Sequence, residues 1–266
     1  MALILLFASG ATLTLITLLA THPYLPKQTN FKGQGTPTSA GLIFIPIILL
    51  TAVLVFSGAV GLEEGGLAYL AYSLVAGAVG FADDLWGGVG AKGFKGHLGA
   101  LARGRVTTGM VKVLVLGGGA LVVGFVVWGF GLVALVAGVI LAGSVNLANL
   151  LDVRPGRTLK FFGVCSLVLL FISPYGAILA VAGVLGGAAA LFYFDLKGRI
   201  MLGDAGAAII GAVPGYLVVV DGPGGVWWSF ILVILGLTVL AEVSSISRLI
   251  QEVGALRWFD EWGRGR

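Results

Sequence analysis

Charge is scarce in this chain, and so are the residues that staple small folds together. Of 266 residues only 11% are charged, against 58% hydrophobic, and mean hydropathy is +1.07. A soluble domain carries about 25% charged residues, so a water-facing globule is excluded and an integral membrane protein is implied. There is one cysteine, Cys165, inside an apolar run. That excludes an internal disulfide and reads as a small packing residue. Acids are scarcer than bases, 12 against 16, for a net charge of +4. The surplus could suggest nucleic acid, but no nucleic-acid module and no internal repeat is evident, and the placement of the basic residues points elsewhere.

What is abundant is glycine, 44 residues, spread through apolar segments as suits close helix approach in lipid. A membrane-crossing helix takes about 20 mostly apolar residues. Nine stretches qualify as candidates: 2–20, 40–60, 67–83, 109–128, 131–151, 158–173, 175–193, 204–221 and 226–247. The first lacks the basic start and small-residue cleavage site of a signal peptide, so it is kept as a helix. Two breaks are weak on hydropathy, at Gly129-Phe130-Gly131 and Ser173-Pro174-Tyr175-Gly176; charge supports both. With nine spans, one side receives the segments 21–39, 84–108, 152–157, 194–203 and the tail from 248. These, with the helix ends touching them, hold all 16 Lys and Arg, while the opposite loops carry Glu63, Glu64 and Asp221. Basic residues favour the cytoplasmic side. The expectation is an all-α polytopic bundle in the cell membrane, N-terminus outside and C-terminus cytoplasmic. It forms one membrane-embedded domain over 1–266, with 244–266 a cytoplasmic amphipathic tail on the membrane surface.

Four polar clusters fall on the basic side: "KGQGTPTSAG" (32–41), "DDLWGGVGAKGFKGH" (83–97), "NLANLLDVRPGRTLK" (146–160) and "MLGDAGAAIIG" (201–211). Asp83 and Asp84 close the third span, where the helix dipole disfavours a carboxylate by about 0.3–1 kcal/mol. Either they begin a solvated loop, or a cation or basic group offsets them, as at a Mg2+-dependent phosphate site. Asp152 repeats the oddity at the end of the fifth span. Asn146, Asn149 and Asp152, three apart, share one helix face, for interhelical hydrogen bonding or for a ligand. Asp204 opens the eighth span, where a carboxylate caps free amides. Its neighbours Gly203 and Gly206 also admit a ligand's close approach, and helix N-termini suit phosphates; an Asp there is suited to the accompanying metal. Lys32 and Thr36 stand in the first cluster. Lys92, Lys95 and His97 read either as a basic juxtamembrane loop or as a clamp on anionic substrate. Together the clusters suit moving a phosphorylated group from a soluble nucleotide to a lipid phosphate at the interface.

In this order, the four clusters resemble the polyprenyl-phosphate N-acetylhexosamine-1-phosphate transferases. "GTPTSAG" is similar to that family's "GTPTMGG", "GFADD" to its paired-aspartate motif, "NLANLLD" to its Asn-x-x-Asn-x-x-Asp motif and "MLGDAG" to its "MGDTGS". The resemblance spans residues 32–248. It implies transfer of a sugar-1-phosphate from a UDP-sugar to a polyprenyl phosphate such as undecaprenyl phosphate, with Mg2+ (Mn2+ as an alternative) and release of UMP, in cell-envelope polymer synthesis in a bacterium. A homodimer is compatible with it. By the same resemblance, Asp83 and Asp84 handle the lipid phosphate, one as base, Asp204 and Asp83 hold the metal, and Asn149 and Asp152 lie at the nucleotide; single and double displacement both stay open.

Departures accompany the match. The pentapeptide-transferring branch reads Asp-Gly-x-Asp-Gly where this chain has Asp152-Val153-Arg154-Pro155-Gly156, with Arg154 a candidate to compensate. "AEVSSI" (241–246) is faintly similar to that branch's "ETLSVI", but the histidine cluster that follows there is missing: the tail "RWFDEWGRGR" has no histidine. A smaller UDP-N-acetylhexosamine donor is therefore expected. Two rival readings stand beside this one, a degenerate homologue that binds without turnover and a transporter or lipid-phosphate binding protein with acids at mid-membrane depth.

Overall fold

The computed structural model describes residues 1–30, 32–87, 103–104, 107–243 and 246–264. Almost everything described is helical. Helix α1 spans Ala2–Thr21 and leads into a two-stranded antiparallel hairpin, β1 Lys27–Thr29 and β2 Gly35–Pro37, in which Gln28 pairs with Thr36. A 3-10 turn, Ala40–Phe44, precedes α2, Ile45–Phe56. Then follow α3 Gly66–Trp86, α4 Thr108–Trp128, α5 Leu132–Leu151, α6 Arg157–Leu169, α7 Tyr175–Leu196, α8 Gly203–Asp221 and α9 Gly225–Val243. Two short helices finish the chain, α10 Ile246–Glu252 and α11 Gly254–Glu261.

The apolar stretches became helices because a helix satisfies the backbone polar groups within itself in lipid, and their few charges fall towards the helix ends. Among the described residues, six helices are long and apolar enough to cross a membrane: α1, α3, α4, α5, α7 and α8. Large apolar side chains stand exposed on their outer faces, such as Leu19 (79%) and Leu114 (68%). Lipid accommodates such a surface and water does not. Where helices fall short of the expected spans, the cause is local. The 40–60 stretch yields only the 12-residue α2, because residues 40–44 wind as a 3-10 turn after Ser39, which adopts a left-handed φ of 60°. The 158–173 stretch ends at Leu169, short of Pro174, whose ring disfavours helix in the residue before it. The stretch expected to run on to 247 bends by 103° between α9 and α10.

Helix α8 is the axis of the bundle. It packs against α3, α5, α6, α7 and α9, and every residue from Ala205 to Val219 is buried. Small residues make this possible: a Cβ added at Gly211 would sit 2.7 Å from Ala148 Cβ, and one at Gly215 2.9 Å from Ser144 Cβ. Ser144 Oγ donates to the Gly211 carbonyl at 2.6 Å, tying α5 to α8 three residues before Pro214. One end of α8 is gripped by aromatic donors, Trp128 Nε1 to the Val219 carbonyl at 3.0 Å and Trp227 Nε1 to the Val218 carbonyl at 2.6 Å. The polar clusters gather at the other end.

Candidate active site

Helices α3 and α8 pack antiparallel, Tyr69 stacking on Tyr216, so that the C-terminus of α3 lies beside the N-terminus of α8, and this answers why two carboxylates stand at a helix end. Asp84, in the last turn of α3, accepts from the backbone amides of Asp204 at 2.9 Å and Ala205 at 3.4 Å. The free amides of α8 are thus capped from another helix, by Asp84 and not by Asp204. Ser39 Oγ donates to the same carboxylate at 2.7 Å. Gln28 Nε2 donates to the Asp84 carbonyl at 2.7 Å, which seats the hairpin over the end of α3. The strand β2 continues into this junction: Met201 N donates to the Pro37 carbonyl at 2.8 Å and Ala40 N to the Met201 carbonyl at 3.2 Å.

Gly203 makes the junction passable. Its φ of +67° is left-handed, and a Cβ there would lie 2.6 Å from Asp84 Oδ2 and 2.8 Å from both Ser39 N and Thr38 Oγ1. Three of the four motifs therefore touch one another at a single point of the fold.

Asp83 and Asp204 point to a different partner. Lys112 Nζ, from the first turns of α4, lies 2.9 Å from Asp204 Oδ2 and 3.4 Å from Asp83 Oδ2. These side chains are partly open to solvent, 12% for Lys112, 16% for Asp83 and 34% for Asp204. Two carboxylate oxygens converging on one positive atom define a cation position. Among the described residues no three His, Cys, Asp or Glu side chains form a complete metal cage. Mg2+ needs no such cage: it is commonly held by one or two carboxylates, waters and the substrate's phosphates, and these two carboxylates fit that requirement.

The third cluster lies beside this centre. Asp152 follows the end of α5, and Thr158 Oγ1 donates to its Oδ1 at 3.0 Å. Burial, and next the Asp195 carboxylate, push the Asp152 carboxyl well above the usual range; Asp204 and Asp84 add to the effect. Asp195, in the last turn of α7, is buried and accepts from Gly156 N at 2.9 Å. Asn149 Nδ2 donates to the Val145 carbonyl at 3.2 Å, and its Oδ1 is buried without a protein partner among the described residues.

The remaining expected residues are placed variously. Thr36 is buried in β2, its Oγ1 accepting from Asn30 Nδ2 at 2.8 Å, so this hydroxyl serves the hairpin. Lys32 is exposed at the hairpin turn, Asn146 is exposed on α5 and Arg154 is exposed in the 152–156 loop. Lys92, Lys95 and His97 lie outside the described residues. Sequence reasoning missed Lys112 and Asp195. Lys112 counted only towards the basic side; Asp195, a lone acid in the aromatic-rich "LFYFDLKGR", was the available signal.

A second ionic cluster flanks the Asp152 loop. Asp260 of α11 is 3% exposed and receives two guanidinium groups, Arg157 Nε at 2.8 Å and Nη2 at 3.0 Å, and Arg264 Nη1 at 2.8 Å and Nη2 at 2.6 Å. Burial opposes its ionisation, but the two arginines outweigh it and hold the carboxyl down at about 2. Lys160 Nζ donates to the carbonyls of Phe259, Asp260 and Trp262, closing the C-terminal end of α11.

No protein-family model matches the chain. Over 191 residues it is 28% identical to the phospho-N-acetylmuramoyl-pentapeptide-transferase of Lactiplantibacillus plantarum, covering 68% of this chain and 60% of that protein, which is less than two thirds of the relative's length. Over 238 residues it is 31% identical to the protein of the same name from Desulforamulus reducens, covering 83% of this chain and 70% of the relative. With apolar helices throughout and four motifs in order at one end of them, the chain belongs to the family of the phospho-N-acetylmuramoyl-pentapeptide-transferases.

Proposed function

We propose that the protein transfers N-acetylhexosamine-1-phosphate from a UDP-sugar to a polyprenyl phosphate such as undecaprenyl phosphate, releasing UMP, on the cytoplasmic face of a bacterial cell membrane. The observation that carries this reading is the meeting of Asp83, Asp204 and Lys112 beside the Asp84-bound junction, from segments of chain 120 residues apart. The basic side of the nine-span map, N-terminus outside, supplies the orientation. Every acid in the clusters lies at a helix end, which supports an enzyme at the interface over an ion path through mid-membrane.

In this reading Asp83 is the one of the pair available for chemistry, because Asp84 is engaged by three donors. Asp83 takes the proton from the lipid phosphate as that oxygen attacks the sugar-bearing phosphorus. The bond from this phosphorus to the UMP oxygen breaks, and its electron pair leaves on UMP. Asp83 and Asp204 would hold Mg2+ (or Mn2+), which would neutralise the diphosphate charge. Lys112 keeps the two carboxylates at one point and presents its ammonium to the phosphates. Asn149 Oδ1 and Asp152 are acceptors for the nucleoside, and Arg154, Lys32, Lys92, Lys95 and His97 are the cations for the remaining anionic groups. The donor is a UDP-N-acetylhexosamine without peptide: both relatives carry a pentapeptide in their names, but Asp152-Val153-Arg154-Pro155-Gly156 departs from the Asp-Gly-x-Asp-Gly of the pentapeptide-transferring branch.

Purified protein incubated with labelled donors, undecaprenyl phosphate and Mg2+ tests this. The panel comprises UDP-GlcNAc, UDP-GalNAc and UDP-MurNAc-pentapeptide. The expected products are UMP and a lipid-linked sugar diphosphate with a donor lacking peptide. Product from the pentapeptide donor alone overturns the donor assignment. With a monodisperse, folded sample, no product from any donor overturns the reaction.

A further inference from the structure

The geometry points to residues 254–264 as a strap that positions the Asp152 loop, with Asp260, Arg157 and Arg264 as positioning residues for the nucleotide end of the donor. The inference rests on the reading above for what the loop binds, but not for the strap itself.

Polar contacts fasten the segment to both sides of one short loop. Arg264 Nε donates to the Pro155 carbonyl at 2.6 Å, and Arg157, two residues on, grips Asp260 with both arms of its guanidinium. Arg157 Nη1 also donates to Ser247 Oγ at 2.9 Å, drawing in α10. Lys160 closes the end of α11 from below, and Lys197, just past α7, donates to the Gly263 carbonyl at 2.7 Å. Arg157 and Lys160 are 4% and 5% exposed. Long cations buried this deeply are rare unless paired; Lys160 spends its donors on the strap, and Arg157 divides its own between Asp260 and Ser247 of α10.

What the strap holds is specific. Between Pro155 and Arg157 lies Gly156, with φ +72°, where a Cβ would sit 2.6 Å from Leu196 Cδ1. Its amide donates to Asp195, and Thr158, the residue after Arg157, donates to Asp152. Fixing Pro155 and Arg157 therefore fixes the donors on which Asp152 and Asp195 depend. This also accounts for Arg157 in the sequence "VRPGR": the strap uses its guanidinium, and takes from Pro155 only the backbone carbonyl. Such a bidentate pair sets orientation as well as strength.

The test compares the full chain with Asp260→Ala, Asp260→Glu and Arg264→Gln, by hydrogen exchange of peptides covering 150–160 and by donor kinetics. Asp260→Ala is expected to speed exchange of the loop amides about tenfold and to raise donor KM about tenfold with kcat within about twofold. Asp260→Glu restores part of both effects, because the charge returns. If Asp260→Ala fails to fold, Arg264→Gln decides the matter: it leaves the Arg157 pair in place, frees Pro155, and is expected to give a smaller rise in both readouts. Unchanged loop exchange and unchanged donor KM in a folded variant overturn the strap while the transferase reading stands. A wild-type protein inactive with every donor overturns that reading, and the exchange comparison still decides the strap. A fall in kcat at constant KM overturns the positioning role.

Discussion

Two ionic clusters lie at the same end of the bundle, and they are built to opposite specifications. Around Asp260 the donors and acceptors are matched: one carboxylate, two forked guanidiniums, and a lysine spending its donors on carbonyls, with Asp260, Arg157 and Lys160 buried and Arg264 half-buried. Around Lys112 the match is loose. One ammonium serves two carboxylates at 2.9 and 3.4 Å, and Asp204 stays a third open to solvent. A saturated cluster has nothing left to offer a ligand, so it is structural. An accessible one, open to solvent at Asp83 and Asp204, retains coordination capacity, which is what a phosphate site needs. Stability follows the same division. The Asp260 carboxyl is held below its ordinary value, so its contribution is present above that value and is lost only as pH falls through about 2.

The adjacent pair in α3 divides along the same line, and substituting each member separately is the severest test. Asp83→Asn and Asp204→Asn are expected to lower kcat by roughly 10²–10⁴-fold, with melting in detergent unchanged. Asp84→Ala removes the acceptor for two amides and a hydroxyl. It is expected to cost about 1–3 kcal/mol, seen as a fall in melting temperature of roughly 2–4 °C for each kcal/mol, with activity lost alongside. Equal melting for the Asp83 and Asp84 variants would erase the distinction between a reacting carboxylate and a structural one.

Lys112 sharpens the contrast at smaller amplitude. Lys112→Met leaves Asp83 and Asp204 facing each other without a cation, and is expected to reduce kcat by about 10–100-fold. It is also expected to steepen the dependence on Mg2+, since added metal then supplies the only positive charge between them. An unchanged Mg2+ titration would show that Lys112 does not share the cation position.

Much of this was legible in the sequence. Each of the nine apolar stretches contains a helix, because a long, nearly uncharged apolar run satisfies its own backbone in lipid by winding as one. The order of the motifs groups Asp83, Asp84, Asp152 and Asp204 by sequence alone. What pattern could not supply was the division of labour. Asp83 and Asp84 are neighbours of identical chemistry, and only the approach of α8 decides which one caps it. Lys112 near a helix end is indistinguishable by sequence from a lysine reaching for the interface. Asp260 looked like part of an amphipathic surface, because its partners Arg157 and Lys160 are about 100 residues away. Helix lengths failed where tertiary contacts set backbone conformation, as at Ser39.

The smallest expected effect probes the seam between the clusters. Asp195 is buried beside Asp152, and its negative charge helps keep the Asp152 carboxyl above the usual range. If ionised Asp152 binds the donor, affinity falls on the acid side, beginning at a higher pH than an ordinary carboxylate would give. Asp195→Asn removes the repelling charge, yet retains an amide oxygen to accept from Gly156 N, so the loop keeps its shape. Ionised Asp152 is then less opposed, and the acid limb of kcat/KM for the donor is expected to move to lower pH. At neutral pH the change is expected to stay within about twofold. A limb that does not move means that the Asp195 charge does not oppose Asp152 over that range, burial being the larger cause. A limb that moves upward means the amide has disturbed the loop, and with it the geometry that the strap maintains.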